Sequence, residues 1–310
     1  MKTYDLIVIG GGAAGMAAAV YGRRAGLSVL VIEAVFHGGQ AAVTPEIDNY
    51  IGFSKGISGA DLMENFHAHA TRFGAEFAYE QVLSVLEEEG AIRVITTRNE
   101  YKAGALVIAA GAAPRQLGVD GEAKFVGTGV SYCATCDGTF FSKKTVAVVG
   151  GGNTAAEDAI YLSKICEKVY MIHRRDTLRA EAVIAETALK EPKIEIVWDS
   201  VVDEIQGGKS VESLKIHNVK TEESRELSVN GVFIAVGIRP NTDIFKGIVD
   251  MDEHGFIITD ECMRTRSEGR IAKRIYAAGD VRATPLRQVI TAAADGAIAA
   301  YYANKAIGVV

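Results

Sequence analysis

The feature that most constrains the fold of this chain is a glycine-rich turn between an apolar strand and an Ala-rich helix. The strand runs from Tyr4 to Ile9, and the turn has glycine at three spaced positions: Gly10, Gly12 and Gly15. A second strand, Val29 to Ile32, follows the helix and ends at Glu33. This order is typical of a βαβ dinucleotide-binding unit, in which glycines let the backbone approach a pyrophosphate and the helix N-terminus supplies free N–H groups. Glu33 is placed to accept hydrogen bonds from a ribose diol.

The same arrangement occurs a second time, in the middle of the chain. A strand from Thr145 to Val149 leads into a turn and helix start made by Gly150, Gly152, Asn153, Thr154 and Ala155. Its second strand, Val169 to Ile172, ends at His173, at the same distance from the first glycine as Glu33 is in the first copy. A single glycine-rich turn is weak evidence, but two at equal spacing predict two dinucleotide-binding domains.

The repetition continues downstream of each copy. Residues 81–104 have the pattern of a small β-meander before a strand and turn from Leu106 to Gly111, and residues 200–230 have the same pattern before Val232 to Gly237. We therefore predict an α/β fold with two Rossmann-like domains, each carrying a β-meander insert.

The two copies differ at the position where a ribose would lie, and this difference distinguishes their ligands. Glu33 would repel a 2′-phosphate, which favours FAD in the first copy. In the second copy His173, Arg174 and Arg175, with Arg179 one turn later, would bind a 2′-phosphate through charge-assisted hydrogen bonds. The basic cluster predicts NADPH as the second nucleotide, although a solvated surface patch is the alternative interpretation.

A further strand near the end of the chain belongs with the first nucleotide. It runs from Ile275 to Gly279 and Asp280, and a helix follows from about Arg287 to Ala303. An aspartate at such a strand end can hold a hydroxyl of the flavin ribitol, and the helix N-terminus can place positive dipole near the flavin. A turn aspartate without a ligand is the alternative.

A pair of cysteines lies between the two glycine turns. Cys133 and Cys136 have the C-x-x-C spacing that can close a disulfide in one helical turn, and Asp137 follows directly and could hold or deliver a proton. A structural zinc site would need a second ligand pair, which Cys166 and Cys262 do not form with each other or with a nearby histidine. We therefore predict redox chemistry and no metal site, with Cys166 and Cys262 as small packed hydrophobes.

Composition excludes several classes of function. The net charge is −6 without a long Lys/Arg run, which argues against nucleic-acid binding, and no apolar stretch is long enough to suggest a membrane span. The Ala-rich run follows three glycines and is typical of a helix rather than of a signal peptide. A cytoplasmic location is expected by default.

The combined motifs give the chain a specific resemblance over nearly its whole length. It resembles the low-molecular-weight thioredoxin reductases of bacteria, archaea, fungi and plants. The resemblance is carried by Gly-Gly-Gly-Ala-Ala-Gly at 10–15, Gly38-Gly39-Gln40, Cys133-Ala-Thr-Cys136-Asp137, Gly150-Gly-Gly-Asn-Thr-Ala155, His173-Arg-Arg175 with Arg179, Ala278-Gly-Asp280 and Arg287-Gln288.

The resemblance implies a domain order and a reaction. FAD would be bound by residues 1–113 and 241–310, and residues 114–240 would form an NADPH domain that carries the dithiol. Gly39, Gln40, Asn49, Gly111, Arg287 and Gln288 would join the cofactor-binding residues already named. Cys136 would face the flavin, Cys133 would attack the disulfide of thioredoxin, and Asp137 would donate and accept the proton. A homodimer is implied, as is rotation of the middle domain about segments near 113–115 and 237–241.

The chain departs from the family pattern in two places. The stretch Asn49-Tyr50-Ile51-Gly52-Phe53 lacks the proline that the family usually has there, which leaves the backbone near the flavin open. Residues 264–274 are longer and more basic than the usual connection, and we interpret them as a surface loop.

Two other functions are compatible with these residues. The electron acceptor could be another dithiol carrier, such as a glutaredoxin-like protein or a peroxiredoxin module, because partner choice depends on surface shape around the dithiol. A redox-inactive nucleotide-binding sensor is the alternative from a different class. Turnover with NADPH would separate a sensor from an enzyme.

Overall fold

In the computed structural model, which describes residues 1–44 and 46–308, the chain forms one unit from its two ends and another from its middle. The first unit comprises Met1–Ala113 and Arg239–Val310, and the second comprises Pro114–Ile238. Val309 and Val310, the last residues of the predicted segment 241–310, lie outside the described residues.

The strands are numbered in chain order. They are β1 Lys2–Ile9, β2 Val29–Glu33, β3 Glu76–Tyr79, β4 Val82–Glu88, β5 Ala91–Thr96, β6 Glu100–Ile108, β7 Ala112–Pro114, β8 Val130–Ser131, β9 Thr145–Val149, β10 Lys168–Ile172, β11 Ile194–Val197, β12 Ser200–Gly207, β13 Val211–Asn218, β14 Ser224–Ser228, β15 Gly231–Ile234, β16 Ile238–Pro240, β17 Arg264–Ser267 and β18 Arg270–Ala277.

The helices are numbered in the same way. They are α1 Ala13–Arg24, α2 Gly39–Ala42, α3 Gly59–Arg72, α4 Ala134–Asp137, α5 Asn153–Ser163, α6 Ala182–Lys190 and α7 Val289–Ile307, with short 3₁₀ turns at Ala123–Phe125, Gly138–Phe141, Asp243–Phe245 and Gly279–Val281. Among the described residues, no helix combines the length and apolar character needed to cross a membrane.

The sheet of the first unit has the order β3-β2-β1-β6-β18-β17. Strands β3, β2, β1, β6 and β18 pair in parallel, and β17 runs antiparallel at the edge. The central strands are buried on both faces, which explains why β1 ends in the uninterrupted apolar run Leu6 to Ile9. Helix α1 packs against α7, where a Cβ on Gly296 would lie only 2.0 Å from the Ala14 carbonyl oxygen.

The sheet of the second unit repeats this design with the order β11-β10-β9-β15-β8, all parallel. Strands β9, β10, β11, β15 and β8 therefore take the places of β1, β2, β3, β6 and β18. The predicted α/β fold with two Rossmann-like domains is confirmed.

The two meanders differ in how they join their sheets. In the first unit β4 and β5 pair antiparallel with β6, which is also a central parallel strand. The predicted break between 104 and 106 is therefore wrong, because Gly104 lies inside β6, where a Cβ would come within 2.9 Å of the Asp5 carbonyl oxygen. In the second unit β12, β13 and β14 form a sheet of their own.

Residues 264–274 are not the surface loop expected from the sequence. They form most of the β17–β18 hairpin, in which Glu268 and Gly269 at the turn both have positive φ, 50° and 75°. The Asp250 carboxylate accepts hydrogen bonds from both turn amides, at 2.9 and 2.8 Å. This contact and the complete burial of Thr265 fix the hairpin to the first unit.

The cut ends of each unit lie next to each other. In the first unit the Asn241 amide donates to the Gly111 carbonyl at 3.0 Å, and in the second the Arg115 amide donates to the Gly237 carbonyl at 2.9 Å. The connecting segments themselves, β7 and β16, form a two-stranded ladder.

Candidate functional site

The glycine turn of the first unit divides into tightly packed and open positions. A Cβ on Gly10 would lie 2.2 Å from the Ala109 carbonyl oxygen, and one on Gly15 would lie 1.8 Å from the Gly10 carbonyl oxygen. These two glycines permit the tight turn and the close approach of α1 to the sheet. A Cβ on Gly12 would instead meet only the Gly38 carbonyl, at 4.0 Å. Gly12 therefore borders open space at the N-terminus of α1, where a phosphate would be bound by backbone N–H groups.

Glu33 ends β2 beside this turn. Its Oε2 accepts a hydrogen bond of 2.7 Å from the Gly11 amide, and its Oε1 accepts one of 2.7 Å from the Ala34 amide. The carboxylate is thus held in place by the backbone, with lone pairs left for a ribose diol. Gly39 lies against the turn, since its Cβ would come within 3.5 Å of Gly12 Cα, and Gln40 is exposed next to it.

The residues around the start of α7 form a second group in the first unit. Gln288 caps the helix in a reciprocal pair with Thr291 and accepts a hydrogen bond from Asn49 Nδ2 at 3.0 Å. Arg287 stacks on the Phe256 ring at 4.2 Å, and its buried Nε has no hydrogen-bond partner among the described residues. An unpaired buried donor is costly, so this Nε fits a site completed by a ligand.

Asp280 belongs to the same group and has a perturbed pKa. Burial raises the pKa of its carboxyl, and the guanidinium of Arg287 opposes that rise. The turn is fixed by buried Asp295, which accepts hydrogen bonds from the Gly279 amide at 3.1 Å and from Arg282 at 2.7 and 3.0 Å. The sequence gave no signal for this pair, because the two side chains come from separate elements. Gly111, also expected in the cofactor site, borders open space.

The glycine turn of the second unit has the same division. A Cβ on Gly150 would lie 2.4 Å from the Ala235 carbonyl oxygen, whereas one on Gly152 would have nothing within 4 Å. Asn153 opens α5 and exchanges hydrogen bonds with Glu181, at 3.0 and 2.8 Å, and Thr154 is exposed. The open position is again at the N-terminus of the helix.

His173 does not lie where a phosphate ligand would. The ring is buried at 4% exposure and contacts Gly151, and its Nε2 lies 3.0 Å from the Thr177 carbonyl. Burial lowers the pKa of His173, and the neighbouring arginines lower it further. A neutral, buried imidazole cannot make the expected charge-assisted contact, so we assign His173 to positioning the loop that follows β10.

Arg174, Arg175 and Arg179 are exposed on that loop. Within the described part of the chain, none of the three forms an ion pair. The Arg179 amide donates to the Gly151 carbonyl at 2.6 Å, which joins the basic loop to the glycine turn. Three uncompensated cations therefore lie beside the open Gly152 position, as a 2′-phosphate would require.

The dithiol follows the short edge strand β8. Cys133 and Cys136 form a disulfide across the four-residue helix α4. Cys133 Sγ accepts a hydrogen bond from the Cys136 amide at 3.2 Å and lies 3.4 Å from Thr135 Oγ1. The same donors would stabilise a Cys133 thiolate after reduction, which is the form that attacks disulfides. Free Cys166 is buried and Cys262 is half-buried.

Asp137 and Ser131 complete this site. Asp137 Oδ2 accepts a hydrogen bond of 2.6 Å from Ser131 Oγ, and buried Oδ1 has no partner among the described residues. Burial raises the pKa of Asp137, and the Ser131 bond opposes the rise. Ser131 Oγ also accepts the Cys133 amide at 3.1 Å, so one hydroxyl connects the carboxyl to the dithiol segment. Sequence reasoning missed Ser131, although its position two residues before Cys133 was visible.

The arrangement of both units fits the nucleotides expected from the sequence. In each unit the middle glycine of the turn borders open space, while the first lies in backbone contact. The first unit adds Glu33 and an unpaired Arg287 Nε, and the second adds three free arginines. The donor set of the first suits a diol and a pyrophosphate, and that of the second suits a phosphorylated ribose.

Comparison with known proteins places this architecture in a family. The family model described as pyridine nucleotide-disulphide oxidoreductase matches residues 4–296. A thioredoxin reductase from Treponema pallidum is 45% identical over 98% of this chain and 97% of its own length, and one from Peptoclostridium acidaminophilum is 46% identical over 98% and 97%. The crystal structure of thioredoxin reductase from Streptococcus pyogenes is 42% identical, covers 98% of both chains and has a TM-score of 0.91. The chain therefore belongs to the pyridine nucleotide-disulphide oxidoreductase family and, within it, to the thioredoxin reductases.

Proposed function

We propose that this chain is an NADPH-dependent thioredoxin-disulfide reductase that uses FAD and the Cys133–Cys136 disulfide. The observation that carries the proposal is the disulfide itself, closed across α4 beside a buried carboxyl with a raised pKa. This combination provides both an electron acceptor and a proton carrier. Relatives covering nearly the whole chain carry the name thioredoxin reductase.

The two units would hold different cofactors. We propose that residues 1–113 and 241–310 bind FAD, with the open Gly12 position for the pyrophosphate, Glu33 for the ribose and Asp280 for the ribitol. Residues 114–240 would bind NADPH, with the 2′-phosphate on Arg174, Arg175 and Arg179. When bound, FAD supplies a two-electron relay between the hydride of NADPH and a disulfide.

The chemistry on the chain's own residues is a thiol–disulfide exchange. Two electrons and two protons convert the Cys133–Cys136 disulfide into a dithiol. The Cys133 thiolate then attacks one sulfur of the thioredoxin disulfide, which breaks that bond and leaves a mixed disulfide. Cys136 attacks Cys133 Sγ, re-forms the enzyme disulfide and releases thioredoxin as a dithiol. The donors to Cys133 Sγ favour this cysteine as the attacking thiolate.

Asp137 would hold the proton that this exchange requires. Its raised pKa keeps a larger fraction of the carboxyl protonated near neutral pH than an exposed aspartate would have. The unpaired Oδ1 is the atom free to give or accept that proton, because Oδ2 is bound to Ser131.

The proposal extends to partners and location. We propose thioredoxin as the protein substrate, a homodimer as the working form and the cytoplasm as its compartment, because a dithiol that must cycle with NADPH needs a reducing environment. Molar mass measured in solution by light scattering would test the dimer.

The proposed function is tested by anaerobic titration of the purified yellow protein with NADPH, followed by addition of oxidised thioredoxin. We expect one FAD per chain, bleaching of the flavin by NADPH and return of its absorbance when thioredoxin is added. Cys136→Ser is the control, since its flavin should still bleach but should not be reoxidised by thioredoxin.

Three outcomes would contradict the proposal. A colourless protein that cannot take up FAD would remove the cofactor assignment. Bleaching followed by reoxidation with a glutaredoxin-like protein or a peroxiredoxin module, and not with thioredoxin, would change the substrate. Binding of NADPH without turnover would identify a sensor.

A further inference from the structure

A cluster of three metal-ligating side chains lies in the first unit, apart from the residues assigned above. The His–Glu–His cluster consists of His37, Glu64 and His67, whose ligand-type atoms all lie within 4.8 Å of one another. His37 lies in the turn between β2 and α2, and the other two lie three residues apart on α3. The sequence analysis predicted no metal site because it considered only the cysteines, and these histidines are distant from each other in sequence.

Both imidazoles present a ring nitrogen to the same carboxylate. His37 Nε2 lies 3.1 Å from Glu64 Oε2, and His67 Nδ1 lies 3.9 Å from Glu64 Oε1. The two rings stack at 3.9 Å with an interplanar angle of 9°. Donor atoms bound to one zinc ion at about 2.0–2.2 Å are closer together than 4.8 Å, so the cluster must contract slightly. Glu64 can make that movement because its side chain is 67% exposed.

The backbone that carries His37 is fixed against α3. The Gly38 amide donates to the Gly11 carbonyl at 2.7 Å. A Cβ on Gly38 would lie 3.1 Å from Met63 Cβ, the residue before Glu64. The turn and the helix are therefore in backbone contact beside the cluster, and the histidine does not depend on a free loop for its position.

The surroundings also favour neutral histidines in the orientation that a metal needs. The Tyr79 hydroxyl lies 2.9 Å from His37 Nδ1, so this nitrogen can keep its proton and leave the Nε2 lone pair for a metal. His67 packs edge-on against Phe77 at 4.5 Å. Burial and the neighbouring His37 lower the pKa of His67, although Glu64 opposes the shift.

We propose that His37 Nε2, His67 Nδ1 and the Glu64 carboxylate bind one Zn²⁺ ion. Two imidazoles and one carboxylate are a ligand set typical of zinc, and the exposed Glu64 side leaves the fourth position for water. The ion would join the turn after β2 to α3. This site goes beyond the proposed reductase function, since none of the three residues belongs to the dithiol or the glycine turns.

The test uses oxidised FAD-containing protein, stripped of metal with EDTA and desalted, and titrated with ZnCl₂ by calorimetry. In this state Cys133 and Cys136 form a disulfide and cannot bind metal. We expect one Zn²⁺ per chain and a higher thermal midpoint with zinc. Mg²⁺ and Ca²⁺ should not compete, because they prefer sites made entirely of oxygen.

Three variants locate the ion. Glu64→Gln keeps the shape of an exposed side chain and should weaken binding by about tenfold or more, since loss of outer-shell partners alone costs about 10–100-fold. His37→Ala should weaken it at least as much. His69→Ala is the matched control, because His69 lies on the same helix but outside the cluster, and its affinity should be unchanged.

The proposal would be overturned if the unmodified protein bound no zinc. It would also be overturned if Glu64→Gln, with its FAD content and circular dichroism unchanged, bound zinc as tightly as His69→Ala. Glu64→Gln guards against misinterpreting a folding defect in His37→Ala. None of these readouts depends on reductase activity, so the reductase proposal can fail or hold independently.

Discussion

The two units share a sheet order but use the end of the fifth strand differently. In the first unit β18 leads through Gly279 and Asp280 into the long helix α7, which covers α1. In the second unit β8 leads into the four-residue helix α4 with the Cys133–Cys136 disulfide, and α4 packs against α5. One position in the fold thus carries a carboxylate for a cofactor in one unit and a redox pair in the other.

This difference shows which parts of the fold are constrained by the nucleotide and which are free to change. The first glycine of each turn is in backbone contact, and the residue at the end of the second strand contacts the second glycine in both units. The connection after the fifth strand is not needed to form the glycine turn. It can therefore carry different chemistry without disturbing the nucleotide site.

The largest expected effect distinguishes the two carboxyls that follow the fifth strands. Asp137→Asn should lower thioredoxin turnover by about 100-fold or more, because a positioned proton carrier contributes about 10²–10⁴-fold. Flavin reduction by NADPH, measured by stopped flow, should remain close to normal. Asp280→Asn should instead lower FAD content and leave the dithiol chemistry of the remaining holoenzyme intact.

Ser131→Ala sharpens this prediction without removing a reacting group. It deletes the hydroxyl that joins Asp137 Oδ2 to the Cys133 amide. We expect a smaller loss of turnover with a shifted pH profile, because the opposing effect of this bond on the Asp137 pKa is gone. A normal profile in both Ser131→Ala and Asp137→Asn would show that the carboxyl is not the proton carrier.

The next effect concerns the third position of each glycine turn. Gly15→Ala should destabilise the protein by about 3 kcal/mol, at the upper end for overpacking, since its Cβ would lie 1.8 Å from the Gly10 carbonyl oxygen. The second unit already has a methyl group at this position, because Ala155 is fully buried. Ala155→Gly should cost only about 1 kcal/mol, the helix penalty of glycine. Urea unfolding of the two variants checks the contrast, and equal losses would refute it.

A moderate effect is expected from the cations that distinguish the second nucleotide site. Replacing Arg174 and Arg175 by Ala should weaken NADPH binding by tens-fold, because charge-assisted hydrogen bonds contribute about 1.5–3 kcal/mol each. The KM for NADH should stay the same. Arg225→Ala removes a similar exposed charge from β14 and should keep the NADPH preference. If both arginine variants behaved alike, the specificity would lie elsewhere.

The smallest effect tests a position where the first helices of the two units differ. Ala18 on α1 is fully buried under α7, whereas the equivalent residue on α5 is Asp158. Burial raises the Asp158 pKa from 3.8 to about 7, and Glu157 adds to the rise. The folded state therefore binds the proton more tightly, and stability is lost as pH rises from 3.8 towards 7.

Asp158→Asn should remove this loss. The variant should match the parent near pH 4 and exceed its stability at pH 8 by about 1–2 kcal/mol, a value discounted from the full shift because the side chain is only half-buried. Asp176→Asn is the control, since Lys220 lowers the pKa of that exposed carboxyl and its removal should give no gain at pH 8. Parallel pH–stability curves for Asp158→Asn and the parent would disprove the assignment.

The parts of this fold that the sequence predicted depend on local patterns. The two glycine turns, their flanking strands and the acidic or basic residue at the second strand end are encoded within about 25 residues each, and the structure places Glu33 beside Gly11 and His173 beside Gly151. The C-x-x-C pair is equally local, and its disulfide forms as expected.

The parts that were not predicted depend on contacts between distant residues. Gly104 was interpreted as a break, but it lies within β6 because the β1 backbone passes close to it. The β17–β18 turn is capped by Asp250, and the cation-rich pattern of 264–274 does not reveal that partner. His173 was expected to face a phosphate, and only the packing of its ring against Gly151 shows that it is buried.

The hydrogen bonds at the cut ends of each unit have a consequence for modularity. Gly111 and Asn241 meet in the first unit, and Arg115 and Gly237 meet in the second. Each unit thus has its entry and exit side by side, so its fold is complete without the other's chain. A gene could acquire or lose the middle segment at this point at little cost, because closing so short a gap requires only a brief linker. The middle unit is in this sense a cassette that could be exchanged between chains.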